Sequence, residues 1–430
     1  MLAAAALVTV TLSQQNPGAA DATPYPSATS KKGLQVQMVD DAIALGIQHA
    51  AINVALGQLI ALNGDQDAIA FTDQTGKRYW FARAAVQQLD QQVQPLSKAG
   101  IIVSAILLAT QTHDAKKDAL LVHARCEGRA PNGIAAFQTA TPAGRAWLAA
   151  VSEFLAKRYS GEPAPHGRIW NWIVGNEVNS HWWWYHMGRA SMQDVAVAYE
   201  QAVRIVHHAV RKHSQHSRVF VSLEHHWSKR YAAGDAQQAF AGREFLQAFA
   251  ALVQKGGDLD WHVAFHPYPE SLFDCRFWRD QTAPDQDDAH RVTFRNLQVL
   301  LRFLQTPELL HEGHARRVIL SEQGFHCADT PDGEPNQAAA FALAWSIVTR
   351  LPGIDAFILH RHVDHAHEGG LKLGLWTNRK DSICTPARSR RIYDVFAACD
   401  SDSWPGCAAF ALPIIGIKTF EDWPVGSGKR

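Results

Sequence analysis

The stretch RIWNWIVGNE, residues 168–177, decides how the chain is read. From Ile169 to Val174 it is apolar except for Asn171, the pattern of a strand covered on both faces. At Gly175 the run stops, and Asn176 and Glu177 follow. A carboxylate set where a buried strand meets its loop is either solvated or functional. The next residues, VNSHWWWYHMG (178–188), put Trp182, Trp183, Trp184 and Tyr185 beside it.

Outward from this stretch the pattern repeats. Helical spacing at 82–100 leads to the apolar run IIVSAILLA (101–109), and a helix near 143–159 leads to 168–177. The helix at 191–214 leads to RVFVSLEHHW (218–227), and one near 242–255 to DWHVAFHPYP (260–269). The helix at 291–305 leads to RRVILSEQGF (316–325), and one near 336–350 to IDAFILHRH (354–362); residues 389–399 close the series. Upstream, GIQHAAINVAL (46–56) is β-rich, and AIAFTDQTGKRYWF (68–81) has the form of a hairpin.

Strands alternating with helices imply parallel pairing with crossover helices. Seven strands are read in this way, and an eighth is expected in the 68–81 region. Eight is the barrel number, so the expected fold is α/β, a (β/α)8 TIM barrel. It would form a single catalytic domain over 34–412 with elaborated βα loops, long at 110–142 and 270–290. A doubly wound sheet is the alternative, but AINVALGQLIALNG (51–64) is not the Gly-rich phosphate loop such a sheet carries after its first strand.

Composition narrows the function. Lys+Arg and Asp+Glu are both 41, so the formal charge is zero, which argues against a nucleic-acid partner. Leu2 to Val10 is too short to span a bilayer and no other segment is long and apolar enough, so no membrane span is expected. That run resembles the core of a secretory signal, although a basic n-region is missing. Residues 1–33 are read as leader and linker, with a secreted or periplasmic location expected. Residues 413–430 are read as a tail packed on or near the barrel. The six cysteines contain no C-x-x-C; they suit either three disulfides or free thiols, and Cys399 and Cys407 are the pair closest in sequence.

Catalytic side chains of a barrel come from the C-terminal ends of its strands. Those ends carry Asn53, Asn176 with Glu177, Glu224 with His225 and His226, His266 with Tyr268, Glu322, and His360 with His362. Two glutamates ringed by His, Asn and Trp suit glycoside cleavage, which needs one protonated and one ionised carboxyl. Trp182 and Trp183 suit a stacking floor for a sugar, although neighbours in sequence cannot all face one ligand. A carbohydrate substrate is expected, with no cofactor and no metal. Two other readings stay open: a His-rich metal-dependent hydrolase, and a carbohydrate-binding barrel without activity.

The ordered set GNE (175–177), HPY (266–268) and LSEQGF (320–325) resembles the retaining glycosidases of clan GH-A, and most closely an uncharacterised bacterial family within that superfamily. The resemblance implies Glu177 as acid/base after strand four and Glu322 as nucleophile after strand seven. Asn176 would bind the sugar 2-hydroxyl, and Tyr268 would hydrogen-bond the nucleophile. The chain departs from that clan where strand eight commonly ends in Trp, having LHRHVDHAH (359–367) instead. His360 and His362 would then meet an unusual or acidic sugar, with Trp376 replacing the missing aromatic. Arg83 is the candidate for the arginine common near strand two.

Overall fold

The computed structural model describes residues 20–161 and 164–425. The signal-like run Leu2–Val10 lies outside them. Eight parallel strands form a closed barrel: β1 (Lys32–Gln35), β2 (His49–Ala55), β3 (Ile102–Thr110), β4 (Asn171–Val174), β5 (Arg218–Glu224), β6 (Trp261–His266), β7 (Val318–Leu320) and β8 (Ile354–Leu359). Each pairs with the next, and β8 pairs with β1 to close the ring. The main helices following the eight strands are α1 (Val39–Ala44), α2 (Arg83–Lys98), α3 (Pro142–Arg158), α4 (Met192–Arg211), α5 (Gly242–Lys255), α6 (Gln298–Phe303), α7 (Gly333–Arg350) and α8 (Arg391–Ala398).

The pleat explains the double burial. Trp172 and Val174 of β4, Val219, Val221 and Leu223 of β5, and Val263 and Phe265 of β6 belong to the large core shared with the helices. The alternate residues Ala51, Ile106, Leu108, Ile173, Phe220, Ala264, Ile319, Ala356 and Ile358 form a second, smaller cluster inside the ring. Both strand faces are apolar because both are covered.

One expectation is corrected. The missing strand is not in 68–81 but at Lys32–Gln35, ahead of β2. Ala68–Thr72 and Arg78–Ala82 do form the expected hairpin. It belongs to a separate antiparallel sheet with Ile60–Ala61, and Phe71 and Phe81 pack on Phe154 of α3. The strand count is eight either way, so Glu177 follows strand four and Glu322 strand seven. The segment at 291–305 is helical only from Gln298, because Asn296 and Thr293 spend their side chains on backbone groups of the turn before it.

The barrel begins inside the segment read as linker. Tyr25 donates to Asn171 Oδ1 (3.0 Å), and Arg218 lies over the Tyr25 ring. Asn171 and Arg218 open β4 and β5, so this segment lies at the N-terminal end of the barrel, away from the loops that build a site. At the other terminus Ile414, Ile417, Phe420 and Trp423 pack on the core, and Arg350 donates to the carbonyls of Phe420 and Trp423. All six cysteines are free thiols. No helix among the described residues is long and apolar enough to cross a membrane.

Candidate active site

Strand parity delivers the site. In β5 the inward series Phe220 and Ser222 ends on Glu224; in β6 Ala264 is followed by His266. In β7 Ile319 is followed by Ser321, and in β8 Ala356 and Ile358 by His360. Each polar residue keeps step with apolar residues inside the ring, so all of them converge at the C-terminal mouth.

Glu177 needs a sharper device. Gly175 takes a positive φ, where an added Cβ would stand 2.8 Å from the Tyr185 ring. Glu177 itself adopts φ 42°, a left-handed conformation uncommon outside glycine. Its backbone N–H donates to Ser222 Oγ (3.0 Å). Tyr199 of α4 braces the two strands: its hydroxyl donates to Val174 O (2.7 Å) and accepts from Ser222 N (3.1 Å). The carboxyl is thus held against the barrel rather than in solvent.

Glu177 is buried, and Glu322 is half-buried at the mouth. Single oxygens of the two carboxyls and a ring nitrogen of His266 all lie within 4.8 Å of one another. His266 Nδ1 is 2.8 Å from Glu177 Oε1, and its Nε2 is 3.0 Å from Ser321 Oγ. Tyr268 donates to Glu322 Oε1 at 3.2 Å. Burial pushes the Glu177 carboxyl up to about 7; the hydrogen bond and charge of His266 oppose this, while Glu322 and Glu224 add to it. Burial would lower His266, but the hydrogen bond to Glu177 and the surrounding carboxylates raise it. Asn176 is buried beside Glu177, and no side-chain hydrogen bond is formed by it among the described residues.

Glu224 serves differently. It accepts from Asn179 Nδ2 (2.7 Å), Ser180 Oγ (2.8 Å), His226 N (2.9 Å) and His226 Nδ1 (2.7 Å). Burial alone would raise it, but the charge and hydrogen bond of His226, then His225, hold it at about 2. Glu224, His225 and His226 form a second group whose ligand-type atoms lie within 4.8 Å. In that group the Glu224 oxygens are already engaged, and His225 Nδ1 donates to Tyr268 O (2.9 Å).

The remaining expected residues divide. Asn53 faces the mouth and accepts from Gln35 Nε2 (3.2 Å); Gln35 Oε1 meets His360 Nδ1. Trp182 and Trp183 are half-buried, edge-on to His186 and Tyr231 respectively. Tyr185 leaves the aromatic row altogether, fully buried between Phe137 and Tyr199.

His362 does not sit with His360. The strand ends at Leu359, so the two histidines are not held in strand alternation. His362 has no side-chain exposure; it holds Asp41 (2.8 Å) and accepts from the backbone of Gln37 and Met38. Trp376 donates to the same Asp41 (3.1 Å), as does Tyr393 (2.8 Å), so this group braces the loop after β1. Arg83, the first residue of α2, donates to Ala68 O of the hairpin.

The arginine near the mouth is Arg361, which sequence reasoning missed together with Glu368. His360 Nε2 and Arg361 NH1 hold Glu368 at 2.7 and 2.6 Å. The only signal was a charged residue ahead of Gly369 and Gly370, nine positions beyond the strand end. Gln35 was missed because no strand was read ahead of residue 46.

No curated protein matches the chain in sequence. Among solved structures it is similar to a family 39 glycoside hydrolase from Bacteroides cellulosilyticus WH2, with TM-score 0.53 and 15% identity. The match covers 86% of this chain and spans 62% of that one. It is also similar to a β-glucosidase from Pyrococcus furiosus, with TM-score 0.55 and 14% identity over 87% of this chain and 86% of that one. At such identities the likeness is one of fold, and the fold is the (β/α)8 barrel of these glycosidases. The family model that matches the chain covers residues 24–423, and by it the protein belongs to DUF5722, a family of unknown function.

Proposed function

We propose that this protein is a retaining glycoside hydrolase acting on a poly- or oligosaccharide by double displacement. The observation that carries the reading is the pairing of Glu177 with Glu322. Carboxyl oxygens within 4.8 Å of one another suit the ~5–5.5 Å spacing of a retaining pair better than the ~6.5–9.5 Å of an inverting one. The environments differ as the chemistry requires. Glu177 is pushed up to about 7 by burial, where a general acid works near neutral pH. Glu322 stands at the mouth with the Tyr268 hydroxyl on one oxygen.

In the first step Glu322 attacks the anomeric carbon and Glu177 gives its proton to the departing oxygen. His266 Nδ1 is directed at Oε1, so Oε2 carries that proton. In the second step ionised Glu177 takes a proton from water, which attacks the anomeric carbon and frees Glu322. Asn176, which makes no side-chain hydrogen bond among the described residues, suits a hydroxyl of the reacting sugar. The loop bearing Trp182 and Trp183 leaves β4 directly after the acid, so it suits the leaving-group side. Export, suggested by the Leu2–Val10 run, agrees with a glycan substrate outside the cytoplasm.

The test compares wild type with Glu322→Ala on a panel of bacterial and plant polysaccharides, reading new reducing ends. Release by wild type and its loss in the variant supports the reaction and its nucleophile together. Equal release by both removes Glu322 from the mechanism. Binding of a glycan without release by either favours a barrel that binds carbohydrate without cleaving it.

A further inference from the structure

The strand-eight corner departs most from the resemblance stated above, and its chemistry is explicit. Glu368 lies on the loop after β8 and is folded back onto the strand end. His360 holds Oε1 and Arg361 holds Oε2. A carboxylate offers about four lone-pair positions, so one on each oxygen stays free. The side chain keeps 18% exposure.

The loop after β8 reaches the loop after β6. Directly after Glu368 the chain turns through Gly369 and Gly370, both at positive φ, and Gly370 lies against Phe273 of the loop after β6. Glu322 follows β7, which lies between those two strands. Tyr268, the hydrogen-bond partner of Glu322, is raised by burial and then by Glu322, Glu368 and Glu177 in that order. Glu368 follows β8 and Glu177 follows β4, so the two reach the mouth from opposite sides of the eight-stranded ring. From Glu368 the hydrogen bonds continue through His360 and Gln35 to Asn53, crossing the ends of β8, β1 and β2.

We propose that Glu368 is the hydroxyl-reading carboxylate of the reacting-sugar subsite and restricts that subsite to neutral sugars. The inference rests on the glycosidase reading of the same cleft. Two oxygens oriented by His360 and Arg361 accept from two neighbouring hydroxyls of one sugar. A uronate in that position would bring its own carboxylate beside Glu368 and Glu322. Arg361 does not compensate, because its charge is committed to Glu368. This replaces the expectation that the histidines of this corner serve an acidic sugar: His360 spends both ring nitrogens within the chain.

The test is calorimetric titration of Glu322→Gln, alone and with Glu368→Gln, using glucose, galactose, mannose and xylose against glucuronate and galacturonate. Neutral sugars are expected to bind more tightly than uronates. Adding Glu368→Gln should weaken the best neutral sugar by about 10- to 100-fold, the worth of hydrogen bonds to a charged acceptor, and narrow the gap to its uronate. A merely structural bridge would weaken both classes alike. Where the Gln variant fails to fold, Glu368→Asp keeps the charge for Arg361 but shortens the reach, and should lose the neutral sugar in the same sense. A preference for uronates, an unmoved ratio, or no sugar bound overturns the proposal. Hydrolysis that needs Glu322 while the ratio ignores Glu368 removes this inference and leaves the reaction. Selective neutral binding without hydrolysis does the reverse.

Discussion

One imidazole joins the two halves of the reaction: His266 touches Glu177 at 2.8 Å through Nδ1 and Ser321, the residue before Glu322, at 3.0 Å through Nε2. The hydrogen bond and charge of His266 both lower Glu177, against the burial that raises it. Replacing it by an apolar residue should therefore raise the Glu177 pKa further. In His266→Leu the alkaline limb of the kcat/KM–pH profile, which reports loss of the acid's proton, is expected to move up. The rate at the optimum should fall about 10²-fold, within the range for groups that support acid–base catalysis. A limb that stays in place, or moves down, would separate His266 from the acid.

The two glutamates should respond differently to the leaving group. Glu322→Gln is expected to lose about 10⁴-fold or more in kcat on every substrate, because an amide cannot form the covalent intermediate. Glu177→Gln should lose as much on natural glycans but far less in the first step on a 2,4-dinitrophenyl glycoside, whose leaving group needs no proton. Proton NMR of the first product formed should show the starting anomeric configuration. Inversion would reject the double displacement outright.

Stability against pH should carry two opposite marks. Glu224 is held at about 2, below the ordinary 4.5, so its contribution is full above 4.5 and is lost as pH falls toward 2. That contribution is on the order of 3 kcal/mol. Glu177 is pushed up to about 7, so its contribution is full below 4.5 and is lost as pH rises through 7. Melting curves from pH 3 to 9 should show Glu224→Gln losing part of the acid dependence of the wild type. Glu177→Gln should melt above the wild type at pH 8 and near it at pH 4, as expected when an active site holds a group against its preference.

The aromatic row should split by position. Tyr185→Ala is expected to cost about 3–5 kcal/mol of stability, because the ring is fully buried between Phe137 and Tyr199. Trp183→Ala should leave the melting temperature almost unchanged and raise KM for oligosaccharides several-fold with kcat retained. Chemical denaturation and steady-state kinetics on the two variants decide whether the division is real.

Much of the barrel was legible because its signals are local. Apolar runs such as IIVSAILLA and RVFVSL need only strand periodicity and cover on both faces, and neighbouring residues carry both. The strand-end glutamates followed from the same reading. In β1 the signal was too weak: Lys32–Gln35 is four residues with a glycine, preceded by a segment of linker composition. The neighbouring hairpin had better strand chemistry and took its place in the count. His362 failed for another reason, since its alternation with His360 holds only while the strand continues.

What the sequence determined by itself was the alternating order of elements and the residues that end each strand, because both depend on the pleat and on sequence neighbours. Tertiary structure alone decided which polar groups are free and which are spent. Glu177 and Glu224 end neighbouring strands in similar surroundings, yet one is pushed up to about 7 and the other held at about 2. The sequence neighbours His226 and His225 hold Glu224 down because the fold turns them onto its oxygens, whereas Glu177 is raised by burial that His266, 89 residues away, only partly offsets. A carboxyl's proton affinity depends on burial and on charges within a few ångströms, and those neighbours exist only once the barrel has closed.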